Sequence, residues 1–171
     1  MPRDPETSLK KADDYRATLH HSALAHIEDA SVSAFRTPPS GYETHHQVSW
    51  VVSVGSRRIF HGGDTLWHGS WWRIARQHAP FDVAFLPVNG ASFSWQKPAS
   101  DAPAVLTPEQ AMDAATILRA RVIVPIHFGV RGEEGYQEVE DPIGRLRRAE
   151  KGGGPKVQVL QPGEWLDPFL L

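Results

Sequence analysis

Two stretches, Arg58-Ile59-Phe60-His61-Gly62-Gly63-Asp64-Thr65 and Val122-Ile123-Val124-Pro125-Ile126-His127-Phe128-Gly129, decide how this chain is read. Each is a short apolar run that halts at a side chain able to bind a metal ion. Runs of this length, rich in Val and Ile, are the pattern of buried strands. Strands of α/β folds present their chemistry at their carboxyl ends. The pattern therefore predicts two strands that deliver Asp64 and His127 to one site.

Outward from these stretches the elements alternate. Residues 48–54 read as a strand, Gly55-Ser56 as a tight turn and 57–60 as the returning strand, a hairpin that ends at the glycines before Asp64. Residues 31–35 alternate small apolar residues with Ser and predict a further strand, and Thr37-Pro38-Pro39-Ser40-Gly41 is a loop by composition. A helix is expected over 70–77, with Trp71, Ile74 and Ala75 on one side, then a strand over 81–86 that ends at Pro87-Val88-Asn89-Gly90. Residues 91–105 read as one long irregular loop, and such loops in compact domains often carry function. Thr107-Pro108-Glu109-Gln110 combines a cap, a proline at the first helical position and a capping box, so a helix through Leu118 is expected. A strand over 121–126, a charged helix over 136–150, a glycine-rich break and a last strand over 157–160 complete the chain. The alternation after Phe81 argues for an α/β fold. Leu9, Ala12, Leu19, Ala23, Leu24 and Ile27 recur at helical spacing, so residues 1–30 are expected to be a polar leader and one helix.

The chain has 171 residues, 40% hydrophobic and 22% charged, enough for one domain with a real core. A net charge of −2 gives no electrostatic case for nucleic acid or an anionic membrane. No apolar run reaches the roughly 18 residues of a membrane span. The polar start, Met1-Pro2-Arg3-Asp4-Pro5-Glu6, lacks the apolar core of a signal peptide, so a cytoplasmic location is expected. With no cysteine, any metal must rest on His, Asp or Glu, which suits zinc, manganese or iron. Nine histidines are available. His20, His21 and His26 lack the spacing that places metal ligands on one helix face, and read as solvated or structural.

Glycines before Asp64 let the backbone turn sharply and let a cation approach its carboxylate. The competing reading is that Asp64-Thr65 caps the helix after it. His127 lies where the chain leaves the sheet; it would bind metal through one ring nitrogen and be oriented through the other, or else be a core-edge histidine bonded to a backbone carbonyl. His61 reads either as a neighbour of the site or as a strand-end packing residue, and His68 as facing substrate or solvent. Trp67, Trp71, Trp72 and Trp95 read as core or as a pocket lining. Glu133-Glu134 and Arg145, Arg147 and Arg148 read as solvated charge.

The ordered motifs His61-Gly62-Gly63-Asp64-Thr65, Phe85-Leu86-Pro87-Val88-Asn89-Gly90, Leu106-Thr107-Pro108-Glu109-Gln110-Ala111 and Val124-Pro125-Ile126-His127-Phe128-Gly129 resemble the metallo-β-lactamase superfamily, in particular its lactonase-like and N-acyl-phosphatidylethanolamine phospholipase D-like branch. The resemblance covers roughly residues 31 to 168 and corresponds to the carboxyl-terminal half of that fold. It implies half of an αββα sandwich over 31–171, an α/β arrangement with a mixed sheet flanked by helices. It also implies a metal site, usually zinc, whose activated water attacks the substrate. Asp64 matches the carboxylate that bridges the metals and His127 matches the last histidine. His61, Thr65, His68 and Asn89 are expected around that pair or along a pocket. The family's His-x-His-x-Asp-His cluster is absent; His20-His21 and His45-His46 are adjacent pairs. Where the family has a further histidine after the strand near Phe35, this chain reads Arg36-Thr37-Pro38-Pro39, which leaves His45 or His46 as the candidate third ligand. Two functions are compatible with these residues. One is a metal-dependent hydrolase acting on an undetermined small molecule. The other is a non-catalytic half-domain that pairs with itself as a homodimer, or with a complementary subunit bearing the missing layer.

Overall fold

Gly55 takes φ +56 and returns β2 (Gln47–Val54) into β3 (Arg57–His61), forming the expected hairpin. A positive φ is what so tight a connection demands, and glycine adopts it without a Cβ clash. In this computed structural model the described residues are 30–37, 47–95, 97 and 100–166. The expected helix over residues 9–27, His20, His21 and His26 on it, and His45 and His46 lie outside the described residues.

β1 (Ala30–Thr37) pairs antiparallel with β2. Beyond β3 the chain runs through α1 (Ser70–His78), β4 (Phe81–Pro87), β5 (Ser92–Phe93), α2 (Pro108–Ile117), β6 (Ala120–Ile126), β7 (Tyr136–Gln137), α3 (Pro142–Ala149) and β8 (Lys156–Val157). The main sheet has the order β1-β2-β3-β4-β6-β8, antiparallel over its first three strands and parallel from β3 onward. Parallel neighbours need a crossover, and α1 and α2 supply it between β3, β4 and β6. The mixed sheet with flanking helices is thus as expected.

Alternation along the strands decides what each face buries. On one face Val51, Phe60, Ala84, Leu86 and Ile123 form a single core with Trp71 and Ile74 of α1, Ala111, Met112, Ala114 and Ala115 of α2, and Leu146 of α3. Phe60 anchors it, edge-on to both Trp71 and Phe81 at centroid distances of 5.9 and 5.7 Å. The other face carries one row of β-branched residues across five strands, with Val32, Val52, Ile59, Val83 and Val122 in successive register. Leu160 and Leu166 pack on this face at Val83, Val122 and Val124, whereas Val32 at the far edge is 55% exposed.

The capping box before α2 forms in full: Gln110 N–H donates to the Thr107 hydroxyl at 3.3 Å, and the Gln110 side chain accepts from Thr107 N–H at 3.1 Å. Thr107→Ala is expected to lower the unfolding free energy by about 1 kcal/mol, read as a lower urea midpoint at unchanged slope.

Three expectations are corrected. The helix expected over 136–150 begins only at Pro142, because proline is suited to the first helical position and Asp141 caps it by accepting from Gly144 N–H at 3.0 Å. Residues 136–137 instead form β7, which pairs antiparallel with β5, so the stretch 91–105 is not wholly irregular. The last strand is Lys156–Val157 rather than 157–160.

Candidate functional site

The parallel strands β3, β4 and β6 end side by side, with His61 paired to Phe85 and Pro87 to Ile126. The loops beyond these strand ends are therefore brought together. After β3, Gly62 N–H donates to Phe85 O at 2.9 Å, Ser49 Oγ donates to Gly62 O at 2.8 Å, and Gly63 turns at φ +67. A Cβ at Gly63 would stand 3.1 Å from Val48 O, so the close approach of β2 also requires glycine there. Asp64 emerges from this turn. After β6, His127 has φ +54, a left-handed conformation that a residue with a Cβ adopts only where its surroundings enforce it. The result is that His127 Nδ1 stands 3.5 Å from Asp64 Oδ1, with both side chains open to solvent.

The competing reading of Asp64-Thr65 as a helix cap is overturned: α1 starts at Ser70, and the residue before it, Gly69, makes no side-chain cap. Thr65 is fully buried and holds the neighbouring loop, its carbonyl accepting from Leu106 N–H at 3.0 Å. His61 stands beside the pair. Its Nδ1 accepts from Gly63 N–H at 3.1 Å and its ring stacks on Phe85. Partial burial of the ring, and secondarily repulsion from His127, hold its pKa below the usual imidazole value. His68 lies elsewhere: it is buried and stacked on Trp71 with centroids 4.3 Å apart, away from the residues that line the site. Trp71 is core, while Trp72 and Trp95 are each 52% exposed.

Asp64 and His127 stand at a cavity of about 280 Å3. Its polar wall adds Asn89 and Tyr136, and its apolar wall is Ala91, Phe93, Ala104, Val105 and Val130. Asn89, expected from its place after β4, is buried and donates through Nδ2 to Tyr136 Oη at 2.8 Å. Tyr136 donates in turn to Glu138 Oε1 at 2.9 Å, and Glu138 also accepts from Gly129 N–H at 2.9 Å and Val130 N–H at 3.0 Å. Burial, foremost, and the nearby Glu138 and Asp64 carboxylates push the Tyr136 pKa up to about 12, so the phenol stays protonated and polar without charge. Tyr136, Glu138, Phe93 and Val130 were not singled out in the sequence. The available signal was Asp141-Pro142, which ends any helix reaching back to residue 136.

A carboxylate and an imidazole nitrogen this close, open to solvent, are a donor pair suited to zinc. A catalytic zinc wants about three protein ligands, and among the described residues no group of three His, Asp or Glu comes together. Thr37 and Gln47 are register partners at the same end of the sheet as His61. The segment joining them, residues 38–46, contains His45 and His46 and lies outside the described residues. Among the described residues no helix is long and apolar enough to cross a membrane.

The chain is similar in sequence, and in fold, to known proteins. A protein of Mycobacterium tuberculosis, itself named only as uncharacterized, is 30% identical over 124 residues, which are 70% of this chain and 31% of that protein. A protein of Opitutus terrae named UPF0173 metal-dependent hydrolase is 29% identical over 154 residues, 90% of this chain and 55% of its own length. The chain thus spans about a third to a half of the curated relatives it matches. Among solved structures, the metallo hydrolase Igni18 of Ignicoccus hospitalis superposes with a TM-score of 0.58 at 23% identity, over 84% of this chain and 54% of that one. Residues 6–128 match the family described as the beta-lactamase superfamily domain. With that match across most of the chain and a sheet that ends at the Asp64–His127 pair, this chain belongs to the metallo-β-lactamase superfamily.

Proposed function

We propose that this chain supplies the Asp64–His127 side of a metal-dependent hydrolase centre, and that it represents the carboxyl-terminal half of the fold in the lactonase-like and N-acyl-phosphatidylethanolamine phospholipase D-like branch. The observation that carries the reading is the 3.5 Å approach of His127 Nδ1 to Asp64 Oδ1 at the mouth of the cavity. Zinc is the metal proposed, with manganese or iron as the other ions that an oxygen and nitrogen donor set accepts. His45 or His46 is the proposed further ligand from this chain.

A zinc ion bound there would supply Lewis-acid activation of water for hydrolysis. The chain's own residues do the rest. Asp64 and His127 would hold the ion beyond the carboxyl ends of β3 and β6. The walls formed by Phe93, Ala104, Val105 and Val130 keep an apolar part of the substrate out of water. Asn89 and Tyr136 present fixed hydrogen-bonding groups beside the pair. The substrate class is a small molecule with an ester, lactone, amide or phosphodiester bond, each of which suits an activated water.

The test is metal analysis of protein equilibrated with zinc and then freed of loose metal, together with hydrolysis of a panel of neutral and anionic substrates. About one ion per chain and zinc-dependent turnover are expected. Metal content near zero with no turnover would sink the reading for this chain.

A second reading is favoured by one observation, the β-branched row from Val122 to Val32 whose outer end is 55% exposed. Pairing of this face with another copy, or with a complementary chain, would cover it. Light scattering is expected to show a concentration-dependent dimer that Val32→Glu dissociates. A monomer at all concentrations in both proteins would count against self-pairing.

A further inference from the structure

His127 is held in a conformation that its own backbone does not favour, at φ +54, and just beyond it the ladder of β6 has ended at Ile126. Something outside β6 must keep this turn in place. Phe128 packs against the main core and fixes one side. The polar side is fixed by one residue. Glu138 accepts from the amides of Gly129 and Val130, one with each carboxylate oxygen, at 2.9 and 3.0 Å. Oε1 also accepts from the Tyr136 hydroxyl. A carboxylate can only accept, so the Tyr136 proton is directed to Glu138 and the Tyr136 oxygen is left to accept from Asn89 Nδ2. The direction of each hydrogen bond in this relay is thereby determined. Asn89 lies beyond β4, the turn at 129–130 lies beyond β6, and Tyr136 lies in β7, so one carboxylate ties the β5–β7 ribbon to the loops beyond two strands of the main sheet. Val139 N–H donates to Asn89 O at 2.8 Å and keeps the backbone on the other side of Glu138 against the same loop.

We propose that Glu138 is the positioning residue for His127: its carboxylate clamps the Gly129–Val130 turn and, through Tyr136 and Asn89, makes the loops beyond β4 and β6 a single unit, so that the imidazole meets Asp64 before any ion arrives. Preorganisation of this kind raises affinity by removing the ordering cost from the binding step. The proposal rests on the metal reading only for its effect on zinc. Its effect on the turn stands on the geometry alone.

The experiment uses the full chain as wild type, Glu138→Ala, Glu138→Gln and Tyr136→Phe. Hydrogen exchange at Gly129 and Val130 and the His127 ring shifts are followed by NMR without metal, and zinc affinity is then measured by competition with a chromophoric chelator. In Glu138→Ala the two amides are expected to exchange at least about tenfold faster, with protection at Val122–Val124 unchanged and the His127 shifts moved. Glu138→Gln should recover part of the protection, since its amide oxygen still accepts one bond. Tyr136→Phe should leave both amides protected, because their own bonds remain. Zinc affinity should fall by about tenfold or more in Glu138→Ala. Unchanged exchange and unchanged His127 shifts in Glu138→Ala overturn the proposal. So does an equal loss of protection along β6, which would mark Glu138 as a general stabiliser. If wild type takes up no zinc, the metal reading fails while the exchange and ring-shift measurements still decide the role of Glu138.

Discussion

Asp64→Ala and His127→Ala are each expected to weaken zinc binding by more than about a hundredfold, a loss beyond that of removing a residue that only orients a ligand. Metal-dependent hydrolysis should disappear with it. Stability should hardly change, because both side chains are well exposed, at 48% and 40%, and substitutions at such sites usually stay within about 0.5 kcal/mol. That separation of function from folding makes the result informative. Asp64→Asn refines it by keeping the shape and one acceptor oxygen while removing the charge. It should lose nearly as much affinity as Asp64→Ala if the carboxylate acts as an ionic ligand. The double variant should be scarcely worse than either single one, since two donors to one ion act as a unit. Strictly additive losses would mean that the two residues bind separate things. His78→Ala, at the carboxyl end of α1, is the control that should leave zinc affinity as it was.

The sequence patterns that named the fold were those in which many residues repeat one message. Val48, Trp50, Val52 and Val54 share one side of β2, and the run Val122–Ile126 is apolar throughout, so both strands were legible without knowledge of their partners. The four residues Thr107–Gln110 carry their whole capping geometry locally, and both of its hydrogen bonds form. Asp64 and His127 were legible as strand-end residues because the two motifs share one form, and their approach follows from the parallel pairing of β3, β4 and β6. The β5–β7 ribbon was not legible for the opposite reason. β5 and β7 have two residues each, too few to show alternation, and they exist because of each other. Glu138 looks like one more solvated acid in a charged stretch. Its role is set by amides eight and nine residues earlier and by a tyrosine placed only once β7 has formed. His68 was ambiguous because its neighbours Trp67 and Gly69 fit either a surface loop or a packed one.

His68 carries the other large expected effect, a loss of stability in mild acid. Its ring lies flat on Trp71, 8° from parallel, and Trp71 is fully buried against Phe60. Nδ1 accepts from Ser70 N–H at 3.1 Å, a bond that a proton on that nitrogen would remove. Burial, first, and the positive charge of Arg73 hold the pKa down to about 4, against an ordinary value of 6.5. The folded state therefore keeps this histidine neutral where the unfolded chain would protonate it. Above pH 6.5 neither state is protonated and the full stability is present. Between that value and about 4 the unfolded chain binds the extra proton, so stability falls as pH falls, by up to about 1.4 kcal/mol per pH unit and roughly 3 kcal/mol over the window. Below it both states are protonated and the slope ends. A loss of that size is a large part of the stability of a domain this small. Other groups also titrate here, Glu109 among them, held low first by its hydrogen bond from Arg145. The measurement is therefore a difference: urea unfolding of wild type and of His68→Phe, which keeps an aromatic ring against Trp71 without a titrating group, at half-unit steps from pH 7.5 to 4. The gap between the two proteins should be constant above pH 6.5 and shift steadily in favour of His68→Phe below it. A gap that does not change with pH would show that His68 charges freely in the folded protein, and that its packing on Trp71 opens at no cost to the core.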